Sequence, residues 1–240
     1  MQNFRQLVSD EDVNLNCVEY KTGRTPILIL CHNNQNDDLC EYIECLLRSK
    51  RADIHAKGGD GWNCLPIVCL RYGGKNLVEI VELLISRGID VNNTSGYGWH
   101  AMFALGSNVN RENDPRLFEV IKVLVDAGLY VNAVAKNGLN ALVTLTETYR
   151  RHRDFALIVQ YLIDKGLNVN VRNISGKNAL IVLCERLAKD PNLIQIVQLL
   201  IHHGIDTRVK DIKNYSAVDI LRALSFPESS DVVQLLVSKM

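Results

Sequence analysis

The stretch that decides the fold is residues 52–88, ADIHAKGGDGWNCLPIVCLRYGGKNLVEIVELLISRG. Asp60-Gly61 is typical of a tight turn, and the residues that follow predict a short helix from Asn63 onward. Gly73-Gly74 interrupts this helix, and a longer helix is predicted to end at Gly88. The stretch therefore predicts one structural unit, a hairpin turn followed by two helices.

The same unit recurs along the rest of the chain. Aligning the copies on the turn residue gives successive spacings of 38, 37, 40, 38 and 38 residues. Apolar residues stand four and seven positions after each turn, where they share one helical face. A fixed period of this kind is typical of a repeat protein. The six aligned turn residues are Gly23, Gly61, Gly98, Gly138, Gly176 and Asn214.

The predicted helices also begin and end at matching residues in successive copies. A short polar residue, suited to capping free amide groups, precedes the first helix in five copies. These residues are Thr25, Asn63, Asn140, Asn178 and Ser216. Four glycines follow the second helix, where a left-handed residue is needed and glycine adopts it at least cost. These glycines are Gly88, Gly128, Gly166 and Gly204.

Two short motifs carry a resemblance to a known family. They are Gly23-Arg24-Thr25-Pro26 at a turn and Gly88-Ile89-Asp90-Val91-Asn92 after a second helix. The chain thereby resembles the ankyrin-repeat family, which implies an all-α solenoid with short β-hairpin turns. Its repeats of about 38 residues exceed the usual 33 and are similar to ankyrin arrays of arthropods and their parasites. A period near 40 also suits HEAT or armadillo solenoids, which lack the Asp-hydrophobic-Asn turn.

The resemblance implies a single ankyrin-repeat domain over residues 1–240. Phe4, Leu7 and Val8 have helical spacing, so residues 1–14 are predicted to form a half repeat that covers the end of the stack. Six full repeats follow, at about residues 15–51, 52–88, 89–128, 129–166, 167–204 and 205–240.

Composition excludes several classes of protein. Hydrophobic residues make up 47% of the chain, and 27 basic residues balance 27 acidic ones. Zero net charge argues against nucleic acid or an anionic membrane as partner, since both require a basic surface. No apolar run reaches the roughly 18 residues of a spanning helix, and the first residues lack the apolar centre of a signal peptide. We expect a monomer in the cytoplasm, with the nucleus as the other candidate compartment.

Residues with reactive side chains form no recognisable catalytic or metal-binding pattern. Cys31, Cys69 and Cys184 share one repeat position, which favours a buried small apolar role. His202-His203 are adjacent on a helix and point in different directions, so they suit a metal poorly. No phosphate-binding, protease or kinase motif is present. We therefore expect no enzyme activity, no cofactor and no metal.

The candidate binding residues are those that the repeat itself does not require. In ankyrin-like folds the residue after the turn points away from the stack, and here it is Arg24, Trp62, Trp99, Leu139, Lys177 or Tyr215. Exposed tryptophan and tyrosine are favoured in binding hot spots. The alternative is that the rings pack flat across neighbouring hairpins. Tyr72 and Tyr149, each eleven residues after its turn residue, are expected to extend this surface.

These residues predict a non-catalytic protein–protein interaction module. Its partner would bind the concave face made by hairpin tips and first helices, because stacked repeats supply an extended surface. The alternative is a targeting or substrate-recruiting domain of a larger effector or ubiquitin-ligase adaptor whose other domains are missing here. A catalytic or nucleotide-binding activity has no motif to support it.

Overall fold

A computed structural model describes residues 1–108, 114–149, 152–190 and 192–239 of the chain. These residues form 13 α-helices and two isolated β-bridges, with no longer strand among them. They divide into two compact units, Met1–Tyr130 and Val131–Met240. The predicted all-α repeat fold is confirmed, and each of the six predicted repeats contains one pair of helices. The single domain over residues 1–240 stays a prediction.

The first unit contains one lone helix and three helix pairs. The first helices of its pairs pack on one another in sequence order, and so do the second helices. The lone helix α1 packs on α3, in the layer of the second helices, as a half repeat would. The helices are α1 (Gln2–Ser9), α2 (Pro26–Asn33), α3 (Leu39–Arg48), α4 (Cys64–Arg71), α5 (Leu77–Ser86), α6 (Ala101–Gly106) and α7 (Leu117–Asp126).

The second unit contains three helix pairs arranged in the same two layers. Its first helices α8, α10 and α12 pack in order, and its second helices α9, α11 and α13 form the other layer. A 3₁₀ turn, Pro227–Ser229, joins the last pair. The helices are α8 (Ala141–Tyr149), α9 (Phe155–Asp164), α10 (Ala179–Leu187), α11 (Leu193–His202), α12 (Ala217–Leu224) and α13 (Ser230–Val237).

The six turn residues that were aligned in the sequence all adopt the left-handed backbone conformation. The φ angle is +66° at Gly23 and +85° at Gly61, and it remains positive at the later turn glycines. Asn214 adopts +66° at the sixth turn, as a residue that tolerates this region better than most. The six positions aligned in the sequence are therefore also equivalent positions in the structure of the repeats.

Main-chain hydrogen bonds link the hairpin tips of neighbouring repeats. In the first unit Gly59 N donates to Thr22 O at 3.0 Å, and Gly96 N donates to Asp60 O at 3.1 Å. In the second unit Ile212 N donates to Ser175 O at 3.0 Å. Each bond satisfies groups that a free hairpin would leave to water. The tips therefore lie side by side at fixed spacing, which makes them a platform for exposed side chains.

The asparagine of the turn motif joins each repeat to the next. Asn132 Nδ2 donates to Gly166 O at 2.8 Å, and Asn132 Oδ1 accepts from Asn168 N at 2.7 Å. Asn92 and Asn170 make the same pair of bonds to the loops that follow them. One amide side chain thus satisfies a carbonyl and an amide of the neighbouring loop, and this explains its recurrence.

Most predicted helix caps are present, and one cap was missed. Asn63 accepts a hydrogen bond from Leu65 N, and Ser216 forms a capping box with Asp219. In the third repeat His100 takes this role, since its Nδ1 accepts from Met102 N at 3.1 Å. Its ring is buried and stacks on Phe103 with centroids 4.4 Å apart. An imidazole therefore replaces the usual short polar side chain.

Candidate functional site

In the first unit, the residues after the turns form a connected row. Arg24 Nη2 lies 3.4 Å from Asp60 Oδ2, and Asp60 Oδ1 accepts a hydrogen bond from Trp62 N at 3.1 Å. Trp62 Nε1 then donates to Trp99 O at 2.8 Å. These contacts cross from the first repeat to the third. We name Arg24, Trp62 and Trp99 the tryptophan row.

The two indole rings are half-buried, neither sealed inside nor standing free. The Trp62 ring reaches over the third hairpin, because its nitrogen bonds to the main chain there. Trp99 faces Phe103, with ring centroids 6.4 Å apart. Each ring thus packs on a neighbouring element with part of its surface and leaves the rest accessible. The row offers rigid, partly desolvated aromatic surface.

Two exposed tyrosines lie on the same hairpins as this row, and neither was predicted from the sequence as a binding residue. Tyr20 is 100% exposed on the first hairpin and Tyr97 is 75% exposed on the third. Tyr97 lies between Gly96 and Gly98, so the turn itself does not require an aromatic residue there. That placement, a large ring inside a glycine-rich tip, is the signal that could have identified it.

In the second unit, the corresponding residues are less uniform. Leu139 and Lys177 are half-buried, and Lys177 Nζ lies 2.5 Å from Glu185 Oε1. Tyr215 is 51% exposed and lines a cavity of about 480 Å³ together with residues of α10 and α12. The remaining lining residues are Glu185, Arg186, Ile220, Ala223 and Leu224. Of the residues that directly follow a turn residue in the second unit, Tyr215 is the exposed aromatic one.

The expectation that Tyr72 extends the surface needs correction. Its side chain is fully buried, directly after α4. Gly74 makes room for the ring, because a Cβ atom at that position would lie 2.4 Å from the Tyr72 hydroxyl oxygen. Tyr72 is therefore a core residue. Tyr149 is the last residue of α8, and its side chain lies outside the described part of the structure.

The balanced net charge conceals a difference between the two units. Met1–Tyr130 contains 13 Lys and Arg against 17 Asp and Glu, a net charge of −4. Val131–Met240 contains 14 Lys and Arg against 10 Asp and Glu, a net charge of +4. Electrostatic attraction acts over distances near 10 Å at ordinary salt. The units therefore present different surfaces to a charged partner.

The cysteines of the shared repeat position lie in the packed core of the repeats. Cys31, Cys69 and Cys184 are fully buried, and all seven cysteines are free thiols. A hydrogen bond with Cys64, together with burial, raises the pKa of the Cys31 thiol well above its usual value. Burial raises the pKa of Cys184 in the same direction. A protonated thiol is a poor nucleophile, so these groups suit packing.

Among the described residues, no three His, Cys, Asp or Glu side chains cluster in a way that could hold a metal ion. Across the same ranges, no helix combines the length and the apolar character that crossing a bilayer requires.

Comparison with known proteins supports the fold. A family model described as ankyrin repeats (3 copies) matches residues 111–211, and no curated protein sequence matches significantly. An ankyrin repeat domain from Acinetobacter baumannii is similar with a TM-score of 0.68 and 21% identity, over 88% of this chain and 97% of that one. A chain from the complex of a predatory endopeptidase with an immunity protein, from Bdellovibrio bacteriovorus, is similar with a TM-score of 0.67 and 20% identity. The match covers 88% of this chain and 97% of that one.

Proposed function

Because a family model of ankyrin repeats matches residues 111–211 and the fold is similar to that of ankyrin repeat domains, we propose that this chain is a non-catalytic module that binds a protein partner through the concave face of its hairpin tips and first helices. Ankyrin repeats are in general protein-interaction scaffolds, and one structural neighbour occurs in a complex between two proteins. The same role would serve a substrate-recruiting domain of a larger effector. In both cases the proposed role of this chain is to bind another protein.

The observation that carries the proposal is the tryptophan row with the tyrosines beside it. Hydrogen bonds and an ion pair hold Arg24, Trp62 and Trp99 across three repeats. Tyr20 and Tyr97 add large exposed rings on two of the same hairpins. Trp, Tyr and Arg are the residue types that most often dominate binding energy at interfaces. A surface built from all three types supports protein recognition.

Rigidity of this surface favours binding. The hairpin tips that carry Tyr20 and Tyr97 lie on either side of the second hairpin, and main-chain hydrogen bonds connect the three. A partner would therefore not have to order these loops, and that ordering is one of the main entropic costs of association. In the second unit Leu139, Lys177 and Tyr215 occupy the equivalent slots and belong to the proposed surface. Tyr149 remains a candidate, while Tyr72 does not.

The proposal includes a reducing compartment, the cytoplasm or nucleus. All seven cysteines are free, and the exposed Cys17 would be open to oxidation outside the cell. Four others are buried among apolar side chains. The chain is proposed to act as a monomer.

Affinity capture with matched tyrosine variants tests the proposal. The native chain, a Tyr20→Ala/Tyr97→Ala variant and a Tyr130→Ala variant would each be immobilised, and captured proteins quantified by mass spectrometry. Tyr130 is a suitable control because it is 62% exposed and lies in the loop after α7, not in a hairpin tip. We expect a set of proteins that the double variant loses and the control retains. Equal capture by all three chains would refute this binding face.

A further inference from the structure

Two isoleucines project from neighbouring hairpin tips of the second unit. Ile174 is 71% exposed and Ile212 is 74% exposed, each two residues before the turn residue of its repeat. Ile212 N donates to Ser175 O at 3.0 Å, which fixes the two tips side by side. Ile174 N donates in turn to Asn137 O at 3.4 Å. A branched apolar side chain at both tips is not needed for folding, since the same position holds Gly59 and Gly96 in the first unit.

Basic residues stand on the hairpins of both isoleucines and on the hairpin before them. We name Lys136, Arg172, Lys210 and Lys213 the basic edge; all four are exposed on these hairpins. Arg172 bridges two hairpins, because its Nε donates to Gly176 O at 2.8 Å and its Nη2 to Lys210 O at 2.6 Å. Among the described residues, none of the four forms an ion pair with a carboxylate.

The nearby carboxylates are already used within the hairpin and its helix. Asp211 Oδ1 accepts hydrogen bonds from Lys213 N and Tyr215 N, both at 2.9 Å. Asp219 Oδ2 accepts from Ser216 N at 2.8 Å and from Ser216 Oγ at 2.6 Å, as a helix cap. Each of these anions stabilises local structure. Both carboxylates keep their charge, but the four basic residues of the edge outnumber them, in a unit whose net charge is +4.

A cavity lined by four uncharged residues and by the charged pair Glu185 and Arg186 lies beside the same hairpin, and Glu185 is already ion-paired with Lys177. Tyr215 follows the turn residue Asn214 and, with Ile220 and Leu224, lines the cavity of about 480 Å³. A second cavity of about 380 Å³ shares Leu224, Glu185 and Arg186 with the first and continues to Phe226. Volumes of this size accommodate side chains of a bound ligand. The hairpin thus combines unpaired positive charge with a place for an apolar anchor.

We propose that the basic edge and the Tyr215 cavity together bind an acidic polypeptide segment that carries a large apolar side chain. This inference rests on the proposed function and specifies the partner chemistry of the second unit. Acidic residues of the segment would pair with the basic edge, while its apolar side chain fills the cavity. Charge complementarity selects an anionic partner. The concave cavity selects a polypeptide, because a flat bilayer cannot enter it.

Direct titration with synthetic polypeptides tests this inference. Fluorescence anisotropy would measure binding of labelled poly(Glu,Tyr), poly-Glu and poly(Lys,Tyr) to the full chain. We expect poly(Glu,Tyr) to bind more tightly than poly-Glu, with no binding of poly(Lys,Tyr). Tyr215→Ala should abolish the preference for the tyrosine-containing polymer. Added salt should weaken binding, because the attraction is electrostatic.

Charge-reversal variants supply the matched comparison. Lys136→Glu/Lys213→Glu should weaken poly(Glu,Tyr) binding about tenfold or more. Lys165→Glu/Lys239→Glu makes the same change in net charge at positions after α9 and α13, and should bind as the native chain does. Equal loss in both variants would overturn the inference, since it would show only a response to overall charge. Thermal melts would confirm that both variants fold.

Two other occupants are outcomes of the same experiment. Binding of the native chain to phosphatidylserine vesicles, without binding to poly(Glu,Tyr), would overturn the inference in favour of a membrane surface. A light-scattering mass of twice 27.0 kDa, lost in Lys136→Glu/Lys213→Glu, would overturn it in favour of a second copy. The proposed function would survive both results if capture still depends on Tyr20 and Tyr97, so the two claims fail separately.

Discussion

The indole nitrogen of Trp62 donates a 2.8 Å hydrogen bond to the main-chain carbonyl oxygen of Trp99, one repeat further along the chain. The side chain that is proposed to face a partner also connects two hairpins. Trp62 therefore contributes to stability as well as to recognition. A loss of binding on changing Trp62 alone would have two explanations, so folding and binding need separate variants.

Replacing Trp62 with phenylalanine should destabilise the protein measurably. Trp62→Phe removes the hydrogen bond and keeps an aromatic ring, so we expect a loss of about 1 kcal/mol in the free energy of unfolding. Trp99→Phe is the control, because the Trp99 indole nitrogen makes no hydrogen bond to any described residue. Urea denaturation would measure both. Equal losses in the two variants would show that the Trp62 bond contributes nothing.

The turn asparagines should contribute more to the free energy of unfolding than exposed asparagines elsewhere in the chain. Asn132→Ala leaves a carbonyl of Gly166 and an amide of Asn168 without their partner, so we expect a loss of about 1–3 kcal/mol. Asn192→Ala is the comparison, since Asn192 is exposed and its side chain makes no cap hydrogen bond. Denaturation of both variants would check this. A smaller effect at Asn132 than at Asn192 would contradict the proposed link between repeats.

Two glycines with similar backbone angles should respond differently to a methyl group. Gly138 has φ +75° and Gly166 has φ +87°, so alanine is strained at both by about 1–2 kcal/mol. At Gly138 the new Cβ would also lie 2.6 Å from Ile174 N, whereas nothing lies within 4 Å at Gly166. Gly138→Ala should therefore cost clearly more. Equal melting temperatures for the two variants would mean that the hairpin tips are not closely stacked.

Stability should depend on pH through His100. Burial lowers the pKa of this imidazole from 6.5 to about 4, because removal from water disfavours the charged ring. The neutral ring can accept the hydrogen bond from Met102 N. Between these values the unfolded chain binds more protons, so the free energy of unfolding rises with pH. The contribution, about 3 kcal/mol, is complete above pH 6.5 and is lost as the pH falls to about 4.

The His100→Asn variant isolates this effect. Asparagine is a good helix cap and does not titrate, so the variant should lack this part of the pH dependence. Denaturant melts of both proteins at several pH values would provide the comparison. If the native chain and the variant lose stability in parallel below pH 6.5, His100 is not the group responsible.

Features that depend on one repeat were predictable from the sequence, while features that depend on two repeats were not. Gly61 and Asn214 identified the turns because their backbone angles follow from local chemistry. Tyr72 lies against the third repeat, where Asn108 Nδ2 donates to its main-chain oxygen at 3.3 Å, so its burial could not be predicted from one repeat. The Trp62 bond likewise joins residues 37 positions apart.

The candidate site shows the same division. The slots of Trp62 and Trp99 were identified by their position after the turn, and both rings are half-buried there. Tyr97 and Ile212 were missed because they stand inside the turn, where their exposure depends on the neighbouring hairpins. His100 was missed as a cap because imidazole seldom takes that role. Opposite charges on the two units became visible only when the units were separated.

Photo-crosslinking from Tyr97 tests the central claim most directly. Benzoylphenylalanine would replace Tyr97 in one chain and Tyr130 in another, and each would be irradiated in cell lysate. Both positions are exposed in the first unit, and only position 97 lies on the hairpin tips. The account predicts a discrete protein adduct from position 97 and none from position 130. Adducts from position 130 alone, or none from either, would contradict a partner-binding face on the hairpins.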